Sequence, residues 1–244
     1  SHSAIMRSEF YELYNALFSN ADLYINVVKA LANHHGGMSR AEIVKAVGVN
    51  GGTISRVLTN LERCDFISRS HNFGCKVREA SYRLIDFYTL FYYKFIAQDT
   101  SGDDLWWSHN FESRLVSTWQ GLTFEIVCLV HTDAIKKALG ILGMATEVSS
   151  WRKTGNDKQK GGQIDLVIKR ADRIIHLCEM KFSKSEYHIT ESYEQQLRER
   201  MELFRMATKT KFSLVNTFVT TYGVADGKHH SIVHSEITME QLFG

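Results

Sequence analysis

The chain contains no proline, although proline averages about 5% of residues in globular proteins. It also lacks any run of about 18 apolar residues, which excludes an ordinary membrane-spanning helix. The N-terminal segment SHSAIM has no apolar core of the kind found in signal peptides. The phosphate-binding pattern G-x-x-x-x-G-K-[ST] is missing too, so the commonest nucleoside-triphosphate site is not expected. These absences favour a cytoplasmic protein that does not hydrolyse ATP by itself.

The composition excludes several other classes of protein. The four cysteines are scattered and form no C-x-x-C pair, which argues against a structural zinc site and a disulfide framework. The formal net charge is only +2, so any contact with nucleic acid must come from a local basic patch. The length of 244 residues suits two domains. We expect them to span residues 1–98 and 99–244, with the polar segment AQDTSGDD at the boundary.

Three helices are predicted in the first half. LYINVVKALANHHGG begins a helix at Leu23 that ends before the glycine pair. MSRAEIVKAVG has Ser39 as N-cap and Glu42 three residues later, which is a capping box, and the helix stops at Gly48. VNGGTISRVLTNLERC predicts a third helix with a polar, basic outer side and an apolar inner side formed by Ile54, Val57, Leu58 and Leu61.

Two alternating segments follow these helices. FISRS and KVREASYRLID flank the turn HNFG and predict a hairpin, and three helices with a hairpin make a winged helix-turn-helix. In such a module the third helix can enter the major groove of DNA while the wing contacts the backbone. The candidate phosphate contacts are the basic residues of the third helix and wing, Arg56, Arg63, Arg69, Lys76 and Arg78. The alternative is protein docking or dimerisation, which many winged helices perform.

The aromatic segment FYTLFYYKFI, Phe87 to Ile96, has two readings. Because it is aromatic on every side, it is either a buried helix joining the two halves or a surface that faces a partner. The second reading implies a homodimer or a docked protein domain.

The second half has a helix followed by strands. LTFEIVCLVHTDAIKKAL predicts one long helix that carries Glu125, either at the core edge or as an ordinary surface acid. ATEVSSWRKTG predicts a strand, and QIDLVIKR and RIIHLCEMKF predict a hairpin. Symmetric pairing about its turn sets Asp165 opposite Cys178 or Glu179. Glu179 and Lys181, two residues apart, share a face unless the pattern is only an exposed polar edge.

These residue types suit phosphate chemistry. Two adjacent carboxylates repel each other, and a divalent cation such as Mg²⁺ relieves that repulsion. A neighbouring lysine can orient water and stabilise developing negative charge. A basic loop leads into Asp165 and is either a solvated loop or a phosphate clamp, formed by Arg152, Lys153, Lys158 and Lys160.

In the order of its candidate acids and lysine along the sequence, the chain resembles the PD-(D/E)XK nuclease superfamily. Glu125 matches the helix acid of that family, Asp165 in GGQIDLVI the strand acid, and Glu179 with Lys181 in CEMKF the E-x-K pair. The helix SYEQQLRERMELFR and the strand FSLVNTFVT complete the core that the resemblance implies. It implies an α+β fold in which a restriction-endonuclease-like domain with a mixed central sheet follows the winged helix. The implied activity is DNA cleavage with Mg or Mn, with Glu125, Asp165 and Glu179 holding the metal.

The resemblance leaves an alternative open, because the superfamily also contains members that bind without catalysis. More narrowly, a winged helix followed by this fold looks like the C-terminal region of archaeal-type AAA ATPases. The ATPase half of those proteins is absent here, so the chain is expected to be either a fragment of such an ATPase or a standalone relative. This implies an ATPase domain, in cis or in trans, as a partner, and a noncatalytic role in DNA binding or ATPase docking as the alternative to cleavage.

Overall fold

A computed structural model describes residues 2–75, 80–99, 101, 103, 105–155 and 161–244 of the chain. These residues form two compact units. The first comprises Ser1–Ser70 and Val77–Ser117, and the second comprises His71–Lys76 and Thr118–Gly244. The predicted boundary between residues 98 and 99 lies within the first unit.

The first unit is mainly helical. It contains α1 (His2–Leu17), α2 (Ala21–Ala32), α3 (Arg40–Val47) and α4 (Gly51–Arg63), followed later by α5 (Phe87–Phe91), a π-helical turn (Tyr92–Ile96) and α6 (Trp106–Asn110). The helix α7 (Arg114–Val130) begins in this unit and continues into the second. Three short strands, β1 (Met38–Ser39), β2 (Ile67–His71) and β3 (Ala80–Leu84), form a sheet in the order β1-β3-β2.

The predicted winged helix-turn-helix elements are present. Ser39 and Glu42 make the capping box that begins α3, and Gly48 ends the helix in a left-handed conformation with φ of 74°. Gly48 suits that position because glycine has no Cβ to clash at positive φ. The inner side of α4 is buried as predicted, through Ile54, Val57, Leu58 and Leu61.

The structure adds a helix that the sequence analysis overlooked. Phe10 and Tyr14 of α1, with Phe18 directly after it, recur every four residues, which is the spacing of one helix face. The Phe10 ring stacks on Tyr92 with centroids 3.7 Å apart. The predicted helix at Phe87–Ile96 exists as α5 and the π-helical turn, and these pack within the first unit. This aromatic cluster therefore belongs to the core of that unit.

The second unit contains a mixed sheet. Its strands are β4 (Thr146–Lys153), β5 (Gly162–Arg170), β6 (Ile174–Lys181), β7 (Ser213–Thr220) and β8 (Ser235–Thr238), in that order across the sheet. The strands β4, β5 and β6 pair antiparallel, whereas β6, β7 and β8 pair parallel. The remaining elements are α8 (Thr132–Ala138), α9 (Glu191–Thr208), a 3-10 turn (His230–Ile232) and α10 (Met239–Phe243).

The sheet is covered on both faces. On one face, Phe124 and Cys128 of α7 and Ile135 of α8 pack with Leu166 and Cys178. On the other face, Phe204 of α9 packs with alternate strand residues, which include Val167, Ile175 and Leu177. Because successive residues of β6 point to opposite faces, these two clusters decide the side on which each of its polar side chains lies. In β5 the alternation is interrupted, because Ile164 packs in the same cluster as Val167.

The prediction of one continuous helix over residues 122–139 is wrong. The helix is interrupted at His131, between α7 and α8. The His131 ring bonds the Val127 carbonyl at 2.8 Å, and the Thr132 hydroxyl donates to the Leu129 carbonyl at 2.7 Å. Such bonds from side chain to backbone compete with regular helix bonding. In the part of the chain that the structure describes, no helix is both long and apolar enough to span a bilayer.

Candidate functional site

The first candidate site is the outer side of α4. Arg56 and Arg63 are exposed there, and among the described residues neither guanidinium has a hydrogen-bond or ion-pair partner. Thr59, which lies between them, is also exposed. Two unpaired cations on one side of a rigid helix form a positive surface, and such a surface attracts anions.

The beginning of α4 is held by two polar contacts. The Asn50 side chain accepts a hydrogen bond from the Thr53 amide at 3.0 Å, which satisfies one free N–H of the first turn. Arg40 donates to the Gly51 carbonyl at 2.8 Å and to the Ser55 hydroxyl at 3.3 Å. A Cβ at Gly51 would lie 2.5 Å from Nη1 of Arg40, so glycine permits this close contact between α3 and α4. The sequence analysis missed Arg40, because nothing local indicates this contact.

The wing residues are only partly described. Arg69 lies exposed on β2. Lys76 and Arg78, the other two predicted wing contacts, lie outside the described residues.

The second candidate site surrounds Glu179 on β6. Only 7% of its side chain is exposed. Its Oε1 accepts a hydrogen bond from Arg200 of α9, and its Oε2 accepts one from the Tyr193 hydroxyl at 2.6 Å. The Lys181 Nζ lies 3.8 Å from Oε2 and 4.9 Å from the centroid of the Tyr193 ring. Both carboxylate oxygens are therefore engaged, and Arg200 provides the positive charge that a buried carboxylate requires.

Tyr193 acts as a hydrogen-bond donor to Glu179. Burial raises the pKa of Tyr193 above its ordinary value, and the negative charge of Glu179 raises this pKa further. The phenol therefore keeps its proton at neutral pH, and the proton points to the carboxylate.

Asp165 lies on the neighbouring strand. The pairing of β5 with β6 ends at Leu166 and Cys178, and Asp165 lies one residue beyond that last pair, as Glu179 does on β6. The pairing of β5 with β4 shifts register between Val167, opposite Ser149, and Ile164, opposite Trp151, and both Ile164 and Val167 pack with Phe204 of α9. Asp165 therefore lies in an irregularity of the β-bulge type, where the alternation of side chains between the two faces is interrupted. Its Oδ1 accepts a hydrogen bond from the Gln163 amide at 2.8 Å.

Glu125 has a different location from Glu179. It is half-buried on α7, and its neighbour Phe124 packs with Leu166 and Cys178 on the opposite face of the sheet from the Glu179 side chain. The structure thus brings Glu179 and Lys181 together, and Asp165 lies one residue beyond the last paired position of the neighbouring strand. A supporting role for Glu125 stays a prediction.

The predicted basic loop is described in part. Arg152 is exposed, and its backbone is held by Asn72, which accepts from the Arg152 amide at 2.7 Å and donates to its carbonyl at 3.2 Å. Lys153 lies at the end of β4 and lines a cavity beside Gln163. Lys158 and Lys160 lie outside the described residues.

The arrangement around Glu179 does not fit a divalent cation. Mg²⁺ binds through oxygen lone pairs, and cationic side chains repel it. Here hydrogen bonds occupy both oxygens of Glu179, and a guanidinium contacts one of them. Within the described ranges, no three Asp, Glu, His or Cys side chains are grouped so that they could hold a metal ion.

Three residues of this site were missed by the sequence analysis, namely Arg200, Tyr193 and Gln163. In hindsight, the sequence spacing of each residue gives a partial signal. Tyr193 and Arg200 are seven residues apart and so share one side of a helix. Gln163 precedes Asp165 by two residues and so shares its strand face. Nothing local, however, indicates that this side of α9 packs over β6.

Comparison with known proteins bears mainly on the first unit. Residues 30–73 match the family model described as the MarR family. This span includes α3 and α4 entire and ends within the segment after β2. The match supports the winged-helix part of the chain, but it covers less than half of the residues and identifies no family for the whole chain. No curated protein matches the sequence.

One solved structure is similar in part. The crystal structure of AF1548, a protein of unknown function, is 17% identical over 47% of this chain and 64% of that one, with a TM-score of 0.33. The matched part is less than two thirds of that protein, and at this TM-score the likeness carries no argument about function. The resemblance of the second unit to a nuclease therefore stays a prediction.

Proposed function

We propose that this chain is a DNA-binding module that contacts duplex DNA through the outer side of α4. The observation that carries the proposal is the pair Arg56 and Arg63, exposed and without a partner among the described residues, within the span that matches a winged-helix family. In helix-turn-helix proteins the corresponding helix lies in the major groove. Arginine suits this location because its guanidinium can bind a phosphate through two hydrogen bonds.

The surroundings of α4 support the proposal. The Asn50 cap and the Arg40 contacts hold the first turn in place, so the arginines project from an ordered helix. Arg69 on β2 and, among the residues not described, Lys76 and Arg78 are proposed as wing contacts to phosphates. Arg152, Lys153, Lys158 and Lys160 are proposed as a further basic contact. A second copy of this chain, or an ATPase domain, stays a predicted partner that light scattering and co-purification can test.

Alanine substitution of both α4 arginines tests the proposal. The Arg56→Ala, Arg63→Ala variant should fold normally and bind duplex DNA more weakly. The plot of log association constant against log salt concentration should become shallower by about 0.9 for each lost phosphate contact, or about 1.8 for both. Fluorescence anisotropy on a labelled duplex at several salt concentrations measures both quantities.

A charge-matched control tests whether DNA binding depends on where the positive charges lie or only on their number. Lys137→Ala with Arg205→Ala also removes two positive charges, from exposed positions on α8 and α9. This control should keep the wild-type salt slope. Equal slopes for the wild type and the α4 variant would exclude α4 as the DNA-facing surface.

Phosphodiester hydrolysis is the second candidate function. It is favoured by the contact between Glu179 and Lys181 on β6, with Asp165 one residue beyond the last β5 position that pairs with β6. The test is incubation of supercoiled plasmid with the pure chain and Mg²⁺ or Mn²⁺. If the module only binds DNA, the plasmid stays intact under every condition. Cleavage that disappears in both Asp165→Asn and Lys181→Ala would establish the second candidate instead.

A further inference from the structure

Gly52 of α4 is a glycine that the contacts of the described residues do not require. Gly48 ends α3 at a φ of 74°, and a Cβ at Gly51 would lie 2.5 Å from Nη1 of Arg40. Gly52 has neither reason, because its φ is not positive and a Cβ there would meet only the Asn50 Oδ1, at 3.5 Å, among the described atoms. Glycine is also one of the weakest helix formers, so alanine would suit the helix by itself better.

Gly52 lies on the outer side of α4, in line with both arginines. The exposed residues of this helix are Gly52, Arg56, Thr59 and Arg63. Their spacing of four, three and four residues places them on one stripe, because a helix turn contains about 3.6 residues. Gly52 lies in the first turn, and in helix-turn-helix proteins the residues at this end of the recognition helix contact the base edges.

The stripe combines a low surface with positive charge. Gly52 has no side chain, and the Thr59 hydroxyl donates to the Ser55 carbonyl at 3.0 Å, which holds that short side chain against its own helix. The acid of α4, Glu62, is half-buried and lies about 100° round the helix from Arg63, so it does not belong to the stripe. A polyanion can therefore come close to the helix backbone at Gly52 while the long arginine side chains reach its phosphates.

We propose that Gly52 is the point of closest approach between α4 and the major groove of duplex DNA. The helix enters the groove by its first turn, and the missing Cβ lets a base edge pack directly against the helix backbone, as glycine does where a ligand approaches closely. This proposal rests on the proposed DNA-binding function and adds to it the end of α4 that lies deepest. An exposed glycine without such a contact would gain nothing from its lack of a side chain.

Gly52→Ala separates DNA binding from stability. Because the added methyl improves helix propensity and crowds no described atom, the variant should unfold at the same temperature as the wild type or at a higher one. Its binding to the labelled duplex, measured by fluorescence anisotropy, should nevertheless weaken by about tenfold, a usual effect of overpacking a close contact. Gly52→Leu should weaken binding further, because its larger side chain keeps the first turn out of the groove.

Gly121→Ala is the matched control. Gly121 lies within α7, and a Cβ there would also meet no described atom within 4 Å, so this variant should keep both its fold and the wild-type affinity for DNA. A second measurement obstructs the groove instead of the helix. It uses a duplex whose cytosines carry glucosylated hydroxymethyl groups at C5, a position that faces the major groove. The wild type should bind this duplex much more weakly than the unmodified one.

Four results would overturn the proposal. Gly52→Ala could bind like the wild type, or it could unfold at a lower temperature, which would mean that the protein itself requires the glycine. Gly121→Ala could weaken binding as much, or obstruction of the major groove could have no effect. If Gly52→Ala has no effect but the Arg56→Ala, Arg63→Ala variant binds weakly, the proposed function stands without this contact. If neither variant changes binding, both proposals fail.

Discussion

The arginines of α4 and α9 stand in opposite situations. Arg56 and Arg63 on α4 are exposed and, in the described part of the chain, have no protein partner. Arg200 on α9 is only 26% exposed in its side chain and contacts the buried carboxylate of Glu179. The same residue type therefore serves two purposes. An unpaired surface arginine is available to an external anion, whereas the paired arginine compensates a charge of the protein itself.

This difference affects how each site is interpreted. At Glu179 the acid, the lysine and their spacing are those of an E-x-K pair, but the carboxylate is bonded to Arg200 and Tyr193. At α4 the residues form no named catalytic pattern, yet Arg56 and Arg63 have no charged partner within the described ranges. A cluster of charged side chains is thus a stronger indication of ligand binding when its charges are not already paired within the protein.

The largest expected effect is on the stability of the second unit. Glu179→Ala leaves Arg200 and Tyr193 without their acceptor, and breaking a buried ion pair costs about 3 to 5 kcal/mol. Glu147→Ala breaks the exposed pair with Lys169 and should cost under about 1 kcal/mol. Urea unfolding of both variants measures the difference. Equal losses would show that Glu179 is no more tightly held than a surface acid.

The next effect concerns acid stability. Burial, together with the positive charge of the nearby Arg170, lowers the pKa of His176 to about 4. Between these two pKa values the unfolded chain binds more protons than the folded chain. The stability that neutral His176 contributes is therefore fully present above pH 6.5, the ordinary histidine pKa, and is lost as pH falls toward 4. Over this range the free energy of unfolding falls by about 3 kcal/mol.

Unfolding free energies measured across this pH range check the His176 prediction. His176→Gln can keep a hydrogen bond to Thr217, which the ring makes at 2.7 Å, but cannot titrate. The variant should lose this component of the pH dependence. An unchanged slope would mean that His176 is not the titrating group.

A smaller effect is expected in the first unit. Asn50→Ala removes the cap of α4 and should cost about 1 kcal/mol, whereas Asn50→Ser keeps an oxygen that can cap and should be nearly neutral. If the arginines bind DNA from an ordered helix, the alanine variant should also bind duplex more weakly than the serine variant. Thermal unfolding and anisotropy measure the two consequences, and identical behaviour of the two variants would contradict them.

The smallest effect is expected at Lys181. Its ammonium is 3.8 Å from Glu179 and 32% exposed, so Lys181→Ala should cost only about 0.5 kcal/mol. Arg200→Ala, at the same carboxylate, should cost several times more. Chemical unfolding of the two variants decides which cation stabilises Glu179. A larger loss of unfolding free energy for Lys181→Ala than for Arg200→Ala would reverse the assignment.

Local patterns were sufficient for much of the fold. The capping box of Ser39 and Glu42 predicted the start of α3, and Gly48 predicted its end. The period of two along QIDLVIKR and RIIHLCEMKF predicted β5 and β6, because the alternation and the turn are both encoded within a few residues. The helix α1 was missed although its Phe10 and Tyr14 follow the same rules. The interruption at His131 was missed because side-chain bonds to carbonyls leave no periodic signal.

The sequence alone determined which charges exist and on which side of α4 and of β6 they lie. Arg56 and Arg63 were assigned to the outer side of α4, and Glu179 and Lys181 to one face of β6, because both periodicities are properties of the local backbone. Only the tertiary structure decided which charges are neutralised. Arg200 meets Glu179 because α9 packs over β6 through Phe204 and Leu177, and that packing depends on apolar contacts between residues far apart in the chain.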